Sequence, residues 1–142
     1  VQHTGLAIVT DLNTDRVGAK APVPSPHPTC PEHRHPPFDA SPGKEETFRC
    51  RKGIVYLYTA GRPTPDPACR PPHADREAYT VFHEVILGPC DQYTIPPNTL
   101  HWFQGGPEGA VVSEFSTQSR DDLDFFTDIQ IQRDTTVVDD RC

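Results

Sequence analysis

Seventeen of the 142 residues are proline, and they interrupt the chain so often that few helices longer than two turns would survive. Inside a helix each proline removes a hydrogen-bond donor and clashes with the preceding turn, at a cost of about 3 kcal/mol. An all-α fold is therefore excluded, and the chain must reach a core through short strands joined by turns.

The apolar residues are grouped accordingly, as expected of an all-β sandwich or barrel. Leu6 to Leu12 carries the run Leu-Ala-Ile-Val, Thr47 to Arg51 alternates with Phe48 and Cys50 on one face, and Ile54 to Tyr58 is β-branched and aromatic. Tyr79 to Leu87 reads as a long strand ended by Gly88-Pro89, and Tyr93 to Ile95 as a short one stopped by Pro96-Pro97. His101 to Gln104 and Ala110 to Phe115 flank Gly105-Gly106-Pro107-Glu108-Gly109, which predicts a hairpin. Pro22 to Pro28 and Arg62 to Pro72 lack hydrophobic periodicity and read as surface loops, Ser119 to Asp124 as an acidic loop or short helical turn, and Asp134 to Cys142 as a polar tail.

The length allows one domain, residues 1–142, with no boundary or repeat inside it. Thirteen basic against twenty acidic side chains give a net charge of −7, which argues against nucleic acid and anionic membrane surfaces as partners. No stretch approaches the roughly 20 apolar residues of a membrane span, and the first residues lack the charged, apolar and small-residue succession of a signal peptide. The chain starts at Val1 and contains no methionine, so the expectation is a domain lacking an N-terminal segment. Cys30, Cys50, Cys69, Cys90 and Cys142 are odd in number and irregular in spacing, which predicts reduced thiols in the cytoplasm over a disulfide framework.

Metal-binding residue types recur in a pattern. His33 and His35 stand at i and i+2, so on an extended segment both imidazoles point to one side. After the turn Ser41-Pro42-Gly43, Glu46 enters at the start of the next strand, and the turn Ile95-Pro96-Pro97-Asn98 delivers His101 to the start of another. Three histidines and one carboxylate leave two positions of an octahedron open, and this donor set suits one divalent Mn, Fe, Co, Ni or Zn ion. A closed zinc site of Cys30, His33, His35 and Cys50 is the competing arrangement, without the spacing of a known finger. His83 reads as a packed or surface histidine, as do His3, His27 and His73.

These pieces resemble the two cupin motifs, in which His-x-His, a later Glu and a Pro-x-Gly-x-x-His turn hold one metal inside a double-stranded β-helix, or jelly-roll barrel. Asn98 stands where that turn commonly has glycine, a substitution that Asn tolerates because it also enters left-handed backbone conformations. Longer phrases narrow the resemblance. Thr29 to Pro37 (TCPEHRHPP), Gly43 to Arg51 (GKEETFRCR), Tyr93 to Thr99 continuing through His101 to Gln104, Gly109 to Glu114 and Asp124 to Asp128 are similar to D-lyxose ketol-isomerases, over about Thr10 to Arg133. Cys90 sits where that family tends to have glycine, and Ile129 replaces a common proline. The family also carries a longer N-terminal region with helices.

The resemblance implies a cytoplasmic, homodimeric aldose–ketose isomerase acting on D-lyxose and D-xylulose, and on D-mannose and D-fructose, with one divalent ion, commonly manganese, and a cis-enediol intermediate. In that chemistry a carboxylate moves a proton between C1 and C2. Glu114 is the candidate base, provided that a four-residue turn (Gly106 to Gly109) aligns it with His101. Lys44 is the candidate acid or oxyanion stabiliser. Phe103, two residues beyond His101, is the candidate sugar-stacking face, whereas Trp102 reads as core. Asp128 and Arg133 are candidates for sugar hydroxyls, with Asp121, Asp122 and Asp124 read as solvated. Two other classes use a similar donor set: a non-catalytic metal-bound sugar-binding cupin and an Fe(II) cupin oxygenase.

Overall fold

A computed structural model describes residues 7–23 and 29–131. Eight strands carry the fold: β1 (Ala7–Asn13), β2 (Val17–Val23), β3 (Thr29–Arg34), β4 (Glu46–Thr59), β5 (His83–Leu87), β6 (Gln92–Ile95), β7 (His101–Thr117) and β8 (Phe125–Phe126). The helical segments among the described residues are two short 3-10 turns, His73–Ala78 and Asp121–Leu123. The all-β expectation from proline frequency holds.

The organising unit is an antiparallel ribbon of the two long strands, β4 and β7, paired from Glu46↔Ser116 to Thr59↔His101 with register shifts between Cys50 and Lys52 and between Gly53 and Val55. At one end of the ribbon β2 pairs with β7 over Val17 to Lys20, β1 pairs with β2, and β6 pairs with β4 over Glu46 to Arg49. At the other end β3 pairs with β7, β8 with β3, and β5 with β4 over Val55 to Thr59. Each end of the ribbon is thus the middle of a five-stranded layer. One apolar cluster joins the two layers, with Phe48, Cys50, Ile95 and Val112 from the first and Val55, Leu57, Leu87 and Phe103 from the second. Each fully buried apolar side chain of this kind contributes roughly 1.5–3 kcal/mol.

The glycine-rich segment of β7 makes no hairpin. His101 to Gln104 and Ala110 to Phe115 belong to a single strand that stays on the same partner throughout. Between the pairs Gly53↔Ala110 and Val55↔Gly105 the ladder slips, so that Ile54 alone stands opposite Gly106 to Gly109. Gly53 and Gly109 both have φ of 77°, and a Cβ on Gly53 would lie 2.1 Å from the Gly109 carbonyl oxygen. The ribbon bends where only glycine permits that approach. The slip also reverses side-chain parity, since the inward positions are 101, 103 and 105 before it and 110, 112 and 114 after it.

Other segments differ from the sequence reading. Thr47 to Arg51 and Ile54 to Tyr58 are parts of one strand, β4. Only His83–Leu87 of the expected 79–87 strand is extended in a ladder, because Tyr79 caps the preceding 3-10 turn. Pro22 lies in β2, paired with Ile8. It is tolerated because β2 pairs with β7 only as far as Lys20, so that among the described residues no ladder bond is needed from Pro22 on that side; the rest of the expected Pro22 to Pro28 loop, residues 24–28, lies outside the described residues. The Arg62 to Pro72 loop is borne out as an excursion between β4 and β5.

A second aromatic cluster backs the ribbon. Trp102 stacks on Tyr58 at 3.9 Å between centroids, and its Nε1 donates to the Val81 carbonyl at 2.8 Å. Glu32, 1% exposed, accepts hydrogen bonds from Thr80 N and Oγ1, Val81 N and Thr127 Oγ1, tying β3 to the segment before β5 and to the end of β8.

Candidate metal centre and its carboxylate pair

His33 and His35 leave the end of β3 on one side of the barrel and His101 begins β7 beside them, paired with His33 in register. Glu46 opens β4 on the facing layer. All four are buried, and one ligand atom from each lies within 4.8 Å of the others. Two atoms on opposite sides of an ion at about 2.1 Å would be about 4.2 Å apart, so the cluster is close to the span of a single site.

Each imidazole is anchored through Nδ1, and His35 Nε2 also meets Glu46 Oε1 at 3.2 Å. His33 Nδ1 donates to the Pro31 carbonyl at 2.8 Å, and His101 Nδ1 to the Thr99 carbonyl at 2.9 Å. His35 Nδ1 bonds Asp124 Oδ1 at 2.5 Å. Each imidazole therefore turns Nε2 inward. His101 Nε2 lies 2.8 Å from Glu46 Oε1 but out of line for a hydrogen bond, and it is a fully buried nitrogen with no hydrogen-bond partner. Such a nitrogen is costly unless something binds it, and a divalent ion fits: three imidazole nitrogens and one carboxylate are the donor set of a borderline metal.

The electrostatics agree with a cation site. Burial opposes ionisation of Glu46, yet Lys44, His101 and His35 outweigh it and hold its carboxyl well below the usual carboxylate range. Burial, with the neighbouring His101 and His35, lowers His33. Burial also disfavours charge on His35, but Glu46 and Asp124 push it up to about 9. An ion entering the site must displace protons from such groups.

Lys44 and Glu114 complete the cluster. Lys44 Nζ donates to Glu46 Oε2 and to Glu114 Oε1, each at 2.5 Å, and both residues are buried, at 3% and 6% exposed. Burial and the Glu46 charge raise the Glu114 pKa above its ordinary value, and Lys44 and Lys20 pull it back. The expected alignment of Glu114 through a hairpin is corrected, since its ladder partners are Phe48 of β4 and Lys20 of β2. The parity reversal over Gly106 to Gly109 turns it inward on the same strand as His101.

Phe103 lies below the site in the apolar cluster, edge-on to Phe48 at 5.1 Å. Asp128 is half-buried and closes a turn, accepting from Gln130 N at 2.8 Å. Arg133 lies outside the described residues, as do His3 and His27. The short helical turn expected within Ser119 to Asp124 forms at Asp121–Leu123, but the solvated reading is corrected for two of its aspartates: Asp122 is solvated, whereas Asp121 accepts from Lys20 Nζ at 2.8 Å with both oxygens, and the Asp124 carboxylate is buried on His35. Lys20, 4% exposed and opposite Glu114, carries no sequence signal, because its placement depends on a pairing 94 residues away. Cys30 and Cys50 sit in the apolar cluster, and the Cys30 sulfur is 3.9 Å from His33 Nδ1, not Nε2, so the four-residue Cys/His zinc arrangement is not formed. Asn98 has φ of 57°, the left-handed conformation expected of it, and its side chain accepts a hydrogen bond from Arg34.

No protein-family model matches the chain. Among characterised proteins, the D-lyxose/D-mannose isomerase of Thermosediminibacter oceani is 58% identical over 133 residues, 94% of this chain and 74% of that protein. The D-lyxose ketol-isomerase of Cohnella laeviribosi is 57% identical over 129 residues, 91% of this chain and 71% of that one. The chain belongs to the D-lyxose ketol-isomerase family.

Members of that family are enzymes, aldose–ketose isomerases. Solved structures place the fold. L-ribose isomerase of Acinetobacter sp. DL28 in complex with L-ribose superposes with a TM-score of 0.71 at 19% identity, over 82% of this chain and 60% of that one. Ligand-free L-ribose isomerase of Cellulomonas parahominis gives 0.71 at 18%, over 90% and 73%. The chain thus spans about three-fifths of the length of the first of these, and the likeness establishes the cupin double-stranded β-helix. No helix among the described residues is long and apolar enough to cross a membrane.

Proposed function

We propose that this chain is a metal-dependent isomerase that interconverts D-lyxose and D-xylulose, and D-mannose and D-fructose, through a cis-enediol. The observation that carries the reading is a second buried carboxylate, Glu114, joined by Lys44 to the carboxylate of a three-histidine, one-glutamate donor set. A metal site alone would suit a sensor, whereas a base fixed beside it suits proton transfer.

His33, His35, Glu46 and His101 would hold one divalent ion, Mn2+ first, with Zn2+, Co2+, Ni2+ or Fe2+ as alternatives. When bound, the ion supplies Lewis acidity toward the carbonyl and hydroxyl oxygens of an open-chain sugar. Glu114 takes the proton from the carbon beside the carbonyl and returns it to the adjoining carbon. Burial shifts its pKa upward, the direction that makes a carboxylate a stronger base. Lys44, ionised between two carboxylates, donates to the oxygen that gains charge. The apolar layer around Phe48 and Phe103 excludes water beneath the site. Phe103, Asp128 and Arg133 complete the proposal as sugar contacts.

The unit is one domain and a cytoplasmic homodimer in this reading. Cys50, Cys69 and Cys90 are free thiols, which suits a reducing compartment. Val9, Leu12, Val17 and Phe115 lie exposed on the outer face of β1, β2 and β7, an apolar surface suited to a second copy of the chain. The net charge of −7 leaves nucleic acid an unsuited partner.

Isomerisation in D2O followed by NMR tests the chemistry. Conversion of D-lyxose with deuterium at C1 of the ketose is expected. A metal-replete protein that converts neither D-lyxose nor D-mannose refutes the assignment, and full retention of the original hydrogen refutes a solvent-exchanging Glu114.

A further inference from the structure

We infer that Asp124 is a positioning residue for the metal centre, fixing the orientation of His35 through its Nδ1. The inference rests on the reading of His33, His35, Glu46 and His101 as metal ligands and assigns a role to an aspartate in a segment that by composition looks like a solvated acidic loop.

The three histidines are held differently. His33 and His101 each use Nδ1 on the main-chain carbonyl two residues earlier, an acceptor supplied by their own stretch of chain. His35 has no such support. It lies just past the end of β3 and is followed by Pro36 and Pro37, so it has no place in a ladder. Its Nδ1 instead meets a side-chain carboxylate 89 residues away, Asp124 Oδ1 at 2.5 Å.

The fold sets up this meeting. β8 pairs antiparallel with β3 through His33↔Phe126 and Arg34↔Phe125, and one more step along the same register places His35 opposite Asp124. The Asp124 main-chain N–H bonds the Asp121 carbonyl and closes the 3-10 turn, while Asp121 is itself held by Lys20. The Asp124 carboxylate and the His35 imidazole are 4% and 9% exposed, so water cannot replace either partner easily. A carboxylate that accepts Nδ1–H fixes the tautomer, leaves the Nε2 lone pair for the ion and makes that nitrogen a better donor; loss of such a partner typically costs 10–100-fold in metal affinity.

The test is metal titration of chelator-stripped wild type, Asp124→Ala, Asp124→Asn and Asp122→Asn, with free Mn2+ read by electron paramagnetic resonance and the Co2+ forms by visible absorption. Circular dichroism of each metal-free protein establishes that it is folded. Asp124→Ala is expected to bind Mn2+ about 10–100-fold more weakly and to change the Co2+ spectrum. Asp124→Asn, which keeps an oxygen acceptor, should recover part of the loss, and Asp122→Asn, at an exposed side chain, should match wild type. If Asp124→Ala does not fold, Asp124→Ser is judged by the same criteria. A folded variant with wild-type affinity and an unchanged Co2+ spectrum overturns the inference. Failure of the wild type to bind either ion overturns the metal reading, and this inference with it.

Discussion

Replacing Glu114 by glutamine isolates proton transfer from every other property of the site. The amide fills the same volume in the same buried position, 6% exposed, and can still accept from Lys44 Nζ, so the layer around it has no reason to collapse. What disappears is a negative charge and a base. In the native cluster Lys44 stands between Glu46 and Glu114; in the variant it keeps Glu46, so no buried cation is left unpaired. Removing one partner of an isolated buried pair costs about 3–5 kcal/mol, but this residual pairing should hold the stability loss to roughly 1 kcal/mol, the scale of one ordinary hydrogen bond. Catalysis has no such reserve. A positioned general base contributes about 100- to 10,000-fold, or about 3–5 kcal/mol of barrier. Steady-state conversion of D-lyxose should therefore show kcat reduced by that factor, with Mn2+ affinity within about threefold of wild type, because Glu114 is not in the donor set. A folded Glu114→Gln enzyme retaining more than a third of wild-type kcat would refute Glu114 as the base, and a large loss of metal affinity would refute the separation of roles.

Cys90 adopts φ of 77° and is exposed. A left-handed backbone costs an L residue about 1–2 kcal/mol, and glycine gives back about 0.5–1 kcal/mol of that in unfolded-chain entropy. Cys90→Gly should therefore raise Tm by about 1–4 °C in calorimetry, whereas Asn98→Gly should not, because Asn98 also binds Arg34. Burial and the bond to Glu84 raise the Tyr58 pKa above its ordinary value near 10. The folded state therefore keeps a proton that the unfolded chain loses above pH 10, and this group's stabilisation is present below pH 10 and declines as pH rises. The alkaline slope of denaturant stability should be shallower in Tyr58→Phe by up to about 1.4 kcal/mol per pH unit, and identical slopes would contradict the assignment.

The donor set was legible because metal chemistry restricts residue types strongly: His33 and His35 at a spacing of two, Glu46 after a turn, and His101 after a proline turn are local patterns that need no knowledge of topology. Asn98 in a left-handed conformation was legible for the same reason, since the requirement is carried by one residue. The glycines of β7 misled, because Gly105 to Gly109 have the composition of a hairpin turn. Their function is to bend a strand that continues on the same partner, and composition does not distinguish the two. Glu114 became a candidate on residue type and strand membership, although the geometry that points it inward is the four-residue slip opposite Ile54. Asp124 and Lys20 were beyond reach: each acts across about ninety residues or more through a register that exists only after β2, β3, β7 and β8 have assembled.

The central claim is that the buried cluster of His33, His35, Glu46 and His101 is the centre of a metal-dependent sugar isomerase. The most direct measurement is conversion of D-lyxose to D-xylulose by protein stripped with chelator and then reloaded with Mn2+ or with buffer alone. Turnover that is lost on stripping and returns only with the ion is the predicted result. Equal turnover in both samples, or no turnover by protein holding one Mn2+ per chain, would contradict it.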